Sequence, residues 1–262
     1  MSSVLITEGD VWKRKRKMHA PAFHQKALKS YAVCMSQFTK EYIDSQKDGE
    51  IVDVHHMMLN LTADIVSQSL FGSRTKDLNI DLSEEMDTLA TALLNRRNKL
   101  IRPPYWINDK CNSDIKGAVK AIENVVYQFI DEKLAMDEPD NTLLSILIHT
   151  KDDEGNGLNR VELRDEAMAM FLAGHETTAL AMCWMMFCLD KYKNSEVNWQ
   201  TLKQEVDAVC GDQLPTMADI AQLKQCNAVF KETLRLYPVI FISPRSCIED
   251  TTIQGQLIKK GT

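Results

Sequence analysis

The sequence lacks paired cysteines. Its 7 cysteines, at positions 34, 111, 183, 188, 210, 226 and 247, form no CxxC and no paired spacing. That excludes a disulfide framework and points to reduced thiols in a cytosol-facing protein. No stretch reaches the roughly eighteen uninterrupted apolar residues of a membrane-crossing helix, and MSSVLITEGD has neither the basic start nor the apolar core of a signal peptide. No membrane anchor is therefore expected within the chain. Glycine (10) and proline (7) are sparse, and no low-complexity tract or internal repeat is present. With 44% apolar and 26% charged residues, this excludes broad disorder and suits a soluble, helix-rich globular protein. An excess of positive charge is missing as well. The net charge of −6 argues against a nucleic-acid binder and leaves WKRKRK at 12–17 as a local cluster.

What is present is helical periodicity, from residue 10 to about 237. A first helix begins near Asp10, which is expected to cap it, and stops before Pro21. Others are expected over 25–45, 54–70 (closed by Gly72), 81–100, 113–136, 141–150, 160–192, 196–210 and 223–236. Only the tail differs. SPRSCIEDTTIQGQLIKKGT alternates around Thr251, Ile253 and Leu257 and predicts a short strand and a hairpin turning at Gly255.

The run EAMAMFLAGHETTALAMCWMMFCL is apolar almost all round a helical wheel, so Leu163 to Cys188 is expected to be a helix buried on most sides. Gly174 at its centre weakens it by about 1 kcal/mol relative to alanine, and Glu176 would be a costly buried acid. One plain reading is that Gly174 permits close packing while the threonine hydroxyls bond back one turn. A zinc reading starts from His175-Glu176, but the second histidine of HExxH would fall on Ala179. His55-His56 lies in another helix and does not restore the pair. The remaining reading is a local widening of the helix, with Gly174 giving room, Thr177 turning its hydroxyl off the backbone and Glu176 supplying protons.

AGHETT (173–178) resembles the acid-threonine signature of the oxygen-binding helix in the cytochrome P-450 family of haem-thiolate monooxygenases. Three other segments resemble that family in the same order. Trp12 and Arg16 match WxxxR, KETLRLYP (231–238) matches the ExxR helix through Glu232 and Arg235, and Arg245 with QGQLIKKGT matches the arginine and hairpin that follow. By itself Glu232–Arg235 reads as a helix salt bridge of about 0.3 kcal/mol, although Leu234, Leu236 and Tyr237 argue against full exposure. Lys13, Arg14, Lys15 and Lys17 are expected to be solvated, and to face an acidic electron-donor protein if they face anything.

The resemblance covers Gly9 to Thr262. It implies a mainly α, P-450-like helical fold with a small β element. Residues 1–262 would be an incomplete domain running from the central helices through the ExxR helix and into the following hairpin. It implies haem b (iron protoporphyrin IX) approached by Trp12, Arg16, Ala173, Gly174, Thr177 and Arg245. Glu176 and Thr177 would be catalytic as a proton relay, Glu232 and Arg235 a structural clamp, and Ile240 and Phe241 would line the substrate pocket. The implied reaction inserts one oxygen atom of O₂ into a lipophilic substrate such as a fatty acid, with electrons from a reductase or ferredoxin. Attachment to the endoplasmic-reticulum membrane would use an anchor outside this sequence.

The chain departs from the family where the thiolate ligand is concerned. Arg245-Ser246-Cys247 offers R-x-C, but Phe241 is one residue too close, Pro244 stands near the place of a glycine and Glu249 occupies that of another. Cys247 is therefore read as a strand residue, with the axial cysteine expected beyond Thr262 and no metal ligand within the chain. On that reading the chain as written does not make the thiolate-ligated enzyme. The alternative is a truncated or degenerate, non-catalytic homologue that only binds partners.

Overall fold

The structure, a computed structural model, describes residues 2–75, 82–99, 103–107 and 109–262. Among these, helices α1 (Gly9–His19), α2 (Gln25–Asp44), α3 (Val54–Phe71), α4 (Leu82–Asn98) and α5 (Lys110–Leu134) are followed by α6 (Leu143–His149) and the long α7 (Arg160–Lys191). Then come α8 (Trp199–Cys210), α9 (Met217–Ile220), α10 (Lys224–Leu236) and a hairpin of β1 (Thr251–Ile253) and β2 (Gln256–Ile258). The expected elements are all found, although residues 81 and 100 of the fourth expected helix lie outside the described residues. The single turn α9 was not anticipated.

Local chemistry explains most boundaries. Asp53, Asp109 and Thr142 each accept an otherwise orphaned N–H at the start of α3, α5 and α6. Asn159 with Glu162 and Asn198 with Thr201 form reciprocal capping pairs for α7 and α8. Gly72 closes α3 in the left-handed conformation at φ 84°. Asp10 does not cap α1. Helix formation begins one residue ahead of it, after Glu8, which provides no side-chain cap, and Asp10 falls in the first turn. In the hairpin Thr251 faces Ile258 and Ile253 faces Gln256. Gln254 and Gly255 both take positive φ (47° and 81°), as a tight two-residue turn requires. Cys247 is not in a strand. It lies just outside the hairpin, its N–H donating to the Thr262 carbonyl and its own carbonyl accepting from Gly261.

The core is organised along α7. Phe71 of α3 stacks on Phe129 of α5 at 4.5 Å and on Phe171 of α7 at 6.4 Å. Farther along, α3 and α7 approach closely because small residues face each other there. A Cβ added at Gly174 would meet Val66 Cγ2 at 2.9 Å, and the Thr62 hydroxyl donates to the His175 carbonyl across the contact (3.0 Å). The expectation of burial on most sides holds only for the first half of α7. Beyond Phe171 one stripe, Leu172, Glu176, Trp184 and Phe187, is exposed, because α3 covers the opposite face and this one is covered only in part, by Tyr237 just after α10. Among the described residues no helix is long and apolar enough to cross a membrane.

Candidate functional site

The two threonines of AGHETT and the helix of KETLRLYP meet. Thr177, Thr178 and Ala181 of α7 form one wall of a groove of about 420 Å³, and Phe230 and Leu234 of α10 form the other, continued by Pro238, Val239 and Ile240. The groove is mainly apolar, with the threonine hydroxyls as its polar groups. Outside it, Trp184 of α7 lies flat on Tyr237 (4.4 Å, 7°) and Phe187 meets the same ring edge-on (5.9 Å, 89°). The Lys191 ammonium reaches the Tyr237 hydroxyl at 3.5 Å.

Three expectations for this stretch change. α7 is a regular helix through 173–178, with no local widening. Thr177 does not turn off the backbone, since its hydroxyl donates to the Ala173 carbonyl one turn earlier, as threonine in a helix commonly does. Glu176 is exposed rather than buried, because it falls on the partly covered stripe. Gly174 faces Val66 of α3, so its lack of a side chain serves helix packing, and neither it nor Ala173 lines the groove. Ile240 lines the groove while Phe241 stands exposed beside it.

Trp12 and Arg16 lie one turn apart on α1 and line a second cleft, of about 610 Å³, with Lys13, Lys17, Ala20 and Phe23. Its charge is basic, which suits an anionic group. The neighbouring basic residues are less solvated than expected. Arg14 is bound to Asp152 (2.7 Å) and Glu162 (3.2 Å), and these acids hold its guanidinium charged. Lys15 is fully buried, and its ammonium meets Glu166 Oε1 of α7 at 2.8 Å. The same carboxylate accepts from His19 Nε2 and from the Val4 N–H, both at 3.0 Å, so the ring proton of that bond sits on Nε2. Lys15, His19 and Glu166 are 1%, 0% and 0% exposed. Burial pushes the Glu166 carboxyl up, but the bonds from His19, Lys15 and Val4 outweigh it and hold the group below the ordinary glutamate range.

Glu232 and Arg235 pair bidentately at 2.6 and 2.8 Å, and the bond from Arg235 holds Glu232 below its ordinary range. Contrary to expectation, the pair is 55% and 67% exposed, because α10 turns its other side to α7 and α8. The start of α10 is fixed by α8. Leu223 gives it no side-chain cap, and the Glu205 carboxylate accepts instead from Gln225 N (2.7 Å) and Cys226 N (2.9 Å). Burial pushes Glu205 up, yet these N–H groups hold it below its usual value. Arg245 bonds to its neighbours Ser243 and Pro244 and lines neither cleft. Among the described residues no cluster of histidine, cysteine and acid is arranged to hold a metal ion.

The buried trio Lys15, His19 and Glu166 and the cross-helix cap Glu205 escape the sequence reading. The trio left a signal. Lys15, Met18, His19 and Ala22 are spaced as one helical face, and that face contains the oily Met18. Glu205 left none, since its partners are backbone groups on another helix.

The family model described as Cytochrome P450 matches residues 2–262. Cytokinin hydroxylase of Arabidopsis thaliana is 32% identical over 273 residues, covering 98% of this chain and 52% of that protein. Putative cytochrome P450 139 of Mycobacterium tuberculosis is 26% identical, covering 99% of this chain and 60% of that one. In fold, the chain resembles the retinoic acid-bound cyanobacterial CYP120A1 with a TM-score of 0.82 at 20% identity, over 99% of this chain and 57% of that one. The chain thus spans about half the length of the curated relatives it matches.

Proposed function

We propose, from the premise that this chain belongs to the cytochrome P450 family, that the protein is a haem-dependent monooxygenase. It would insert one oxygen atom of O₂ into a lipophilic substrate of the fatty-acid kind, with electrons from a reductase or ferredoxin. The observation that carries the reading is the groove in which Thr177 and Thr178 face the apolar wall of α10. The groove suits an apolar ring system, and the basic cleft at Trp12 and Arg16 suits carboxylates. When bound, haem b supplies the one-electron and O₂ chemistry that side chains lack. Arg16 and Trp12 would hold its acidic edge, and Arg245 would join them only after leaving Ser243 and Pro244.

Glu176 is open to solvent, while its neighbour Thr177 borders the groove. The Thr177 hydroxyl passes a proton inward once it swings off the Ala173 carbonyl. Ile240 and the other apolar residues exclude water and hold a long-chain substrate there. A second reading, a non-catalytic homologue that only binds partners, is favoured by one observation: the Thr177 hydroxyl is bonded back to the Ala173 carbonyl. Turnover of the protein as its cells make it, with a fatty acid, an electron donor and isotopically labelled O₂, separates the two. Product carrying one labelled oxygen supports the enzyme; electron uptake with no label in product refutes it.

A further inference from the structure

Trp12 and Arg16 line the basic cleft from one side of α1. The side that faces the protein holds Lys15, Met18 and His19, with Arg14 at its margin. Arg14 reaches Asp152, Glu162 and the Gly157 carbonyl, while Lys15 and His19 share Glu166. A helix docked for stability alone would place aliphatic residues there, since apolar side chains of similar volume often serve as well as a buried ion pair. The network is also incompletely satisfied. His19 Nδ1 and Ser3 Oγ are shut off from water with no hydrogen-bond partner among the described residues. What buried charges supply instead is register, because a displaced helix strands them. In the run WKRKRK a slip of one residue would offer Glu166 Arg14 or Arg16 in place of Lys15. In place of His19 it would offer only Met18 or Ala20, so the imidazole is what singles out one register.

The acids that hold α1 sit on the side of α7 that carries the groove. Glu162, Glu166 and Thr177 fall within about 60° around that helix, with Glu166 and Thr177 about 16 Å apart along it. None of Lys15, His19 and Glu166 lines the groove or the basic cleft. We infer that these three are positioning residues: they fix the separation of the basic cleft from the threonine groove, so that one rigid ligand with an apolar body and an acidic edge spans both. This role rests on the haem-binding reading above, haem b being such a ligand.

The test titrates the full-length protein, made without haem, with haem b and with its dimethyl ester, which keeps ring and iron but has no acidic edge. Soret absorbance reports binding. The wild type should hold haem b about tenfold or more tighter than the ester, through charge-assisted bonds to Arg16, and Arg16→Met should abolish that preference. Lys15→Met/Glu166→Gln leaves Arg16 and Trp12 in place yet should cut the preference to about threefold or less, with ester binding within about twofold of wild type. Leu147→Ala, in the core at α6 and in neither cleft, should destabilise the fold and keep the preference. Should the double variant not fold by circular dichroism, His19→Leu takes its place with the same expected loss. Full preference in the variant, or an equal loss in Leu147→Ala, would overturn the positioning role alone. So would a wild type that binds haem and ester alike. A wild type that binds neither would overturn the monooxygenase reading and the positioning role with it.

Discussion

Replacing Glu166 by glutamine tests whether three segments of the chain are joined through one carboxylate. In the native protein Glu166 neutralises the Lys15 ammonium at 2.8 Å and accepts from His19 and Val4 at 3.0 Å, with all three side chains shut off from water. Glutamine keeps the shape and one acceptor oxygen but leaves a buried cation without its counter-charge, which costs about 3–5 kcal/mol. That is a large share of a typical stability of ~5–15 kcal/mol. For a chain of this size it lowers the melting temperature by about 6–20 °C. Lys15→Met alone should also destabilise, by stranding the carboxylate. The double variant Lys15→Met/Glu166→Gln loses both charges together and should cost only about 1–3 kcal/mol for imperfect hydrogen bonding. It is therefore expected to be more stable than either single variant. Urea titration followed by circular dichroism measures all three. The pH dependence has a definite sign: the folded carboxyl titrates below the unfolded one, so its contribution is complete above about pH 4.3 and is lost as pH falls through the folded value. Glu166→Gln should flatten that acid limb. A glutamine variant within about 1 kcal/mol of wild type, or a double variant weaker than both singles, would show that Glu166 does not carry the junction.

Gly174→Ala should destabilise by about 1–3 kcal/mol, since the new Cβ meets Val66 Cγ2 at 2.9 Å and valine in a helix has little rotamer freedom to yield. The cost should shrink in a Val66→Ala background, and an undiminished cost by denaturant titration would contradict the packing role. Glu205→Ala should speed amide exchange at Gln225 and Cys226 several-fold by uncapping α10; unchanged protection would show that the cap is idle. Thr177→Val should leave stability within about 1 kcal/mol, because the lost bond is a back-bond to Ala173. In the working enzyme it should uncouple O₂ consumption from product, and normal coupling would remove Thr177 from the proton path.

Much of the fold was legible because local signals coincide with the apolar period. The long apolar run announces α7, Gly72 ends α3, and Gly255 makes the hairpin turn. Of the site, the resemblance set Thr177 and Ile240 in one region and both line the groove, yet its details were not legible. Lys15 reads as solvated because its run is basic, and its partner lies 151 residues away. Glu176 reads as buried because its neighbours are apolar, whereas one side of α7 is covered only in part beyond Phe171. Gly174 suited either room for a ligand or close packing, and only the position of Val66 decides for packing. His56 and His175, set aside as an incomplete metal pair, share a cleft that no spacing rule could have shown.

The rings at the edge of the groove make its width a matter of thermal statistics. Trp184 and Phe187 belong to α7 and Tyr237 follows α10, so the two walls part only if both ring contacts to Tyr237 break. At about 0.5–1.5 kcal/mol per pair, they hold the walls together by about 1–3 kcal/mol, roughly a 5- to 150-fold bias toward the spacing seen here. The groove therefore keeps this width most of the time and widens by ordinary fluctuation, with no helix unfolding. Bulky molecules would enter at the rate this aromatic latch lets go, and slender ones without waiting for it.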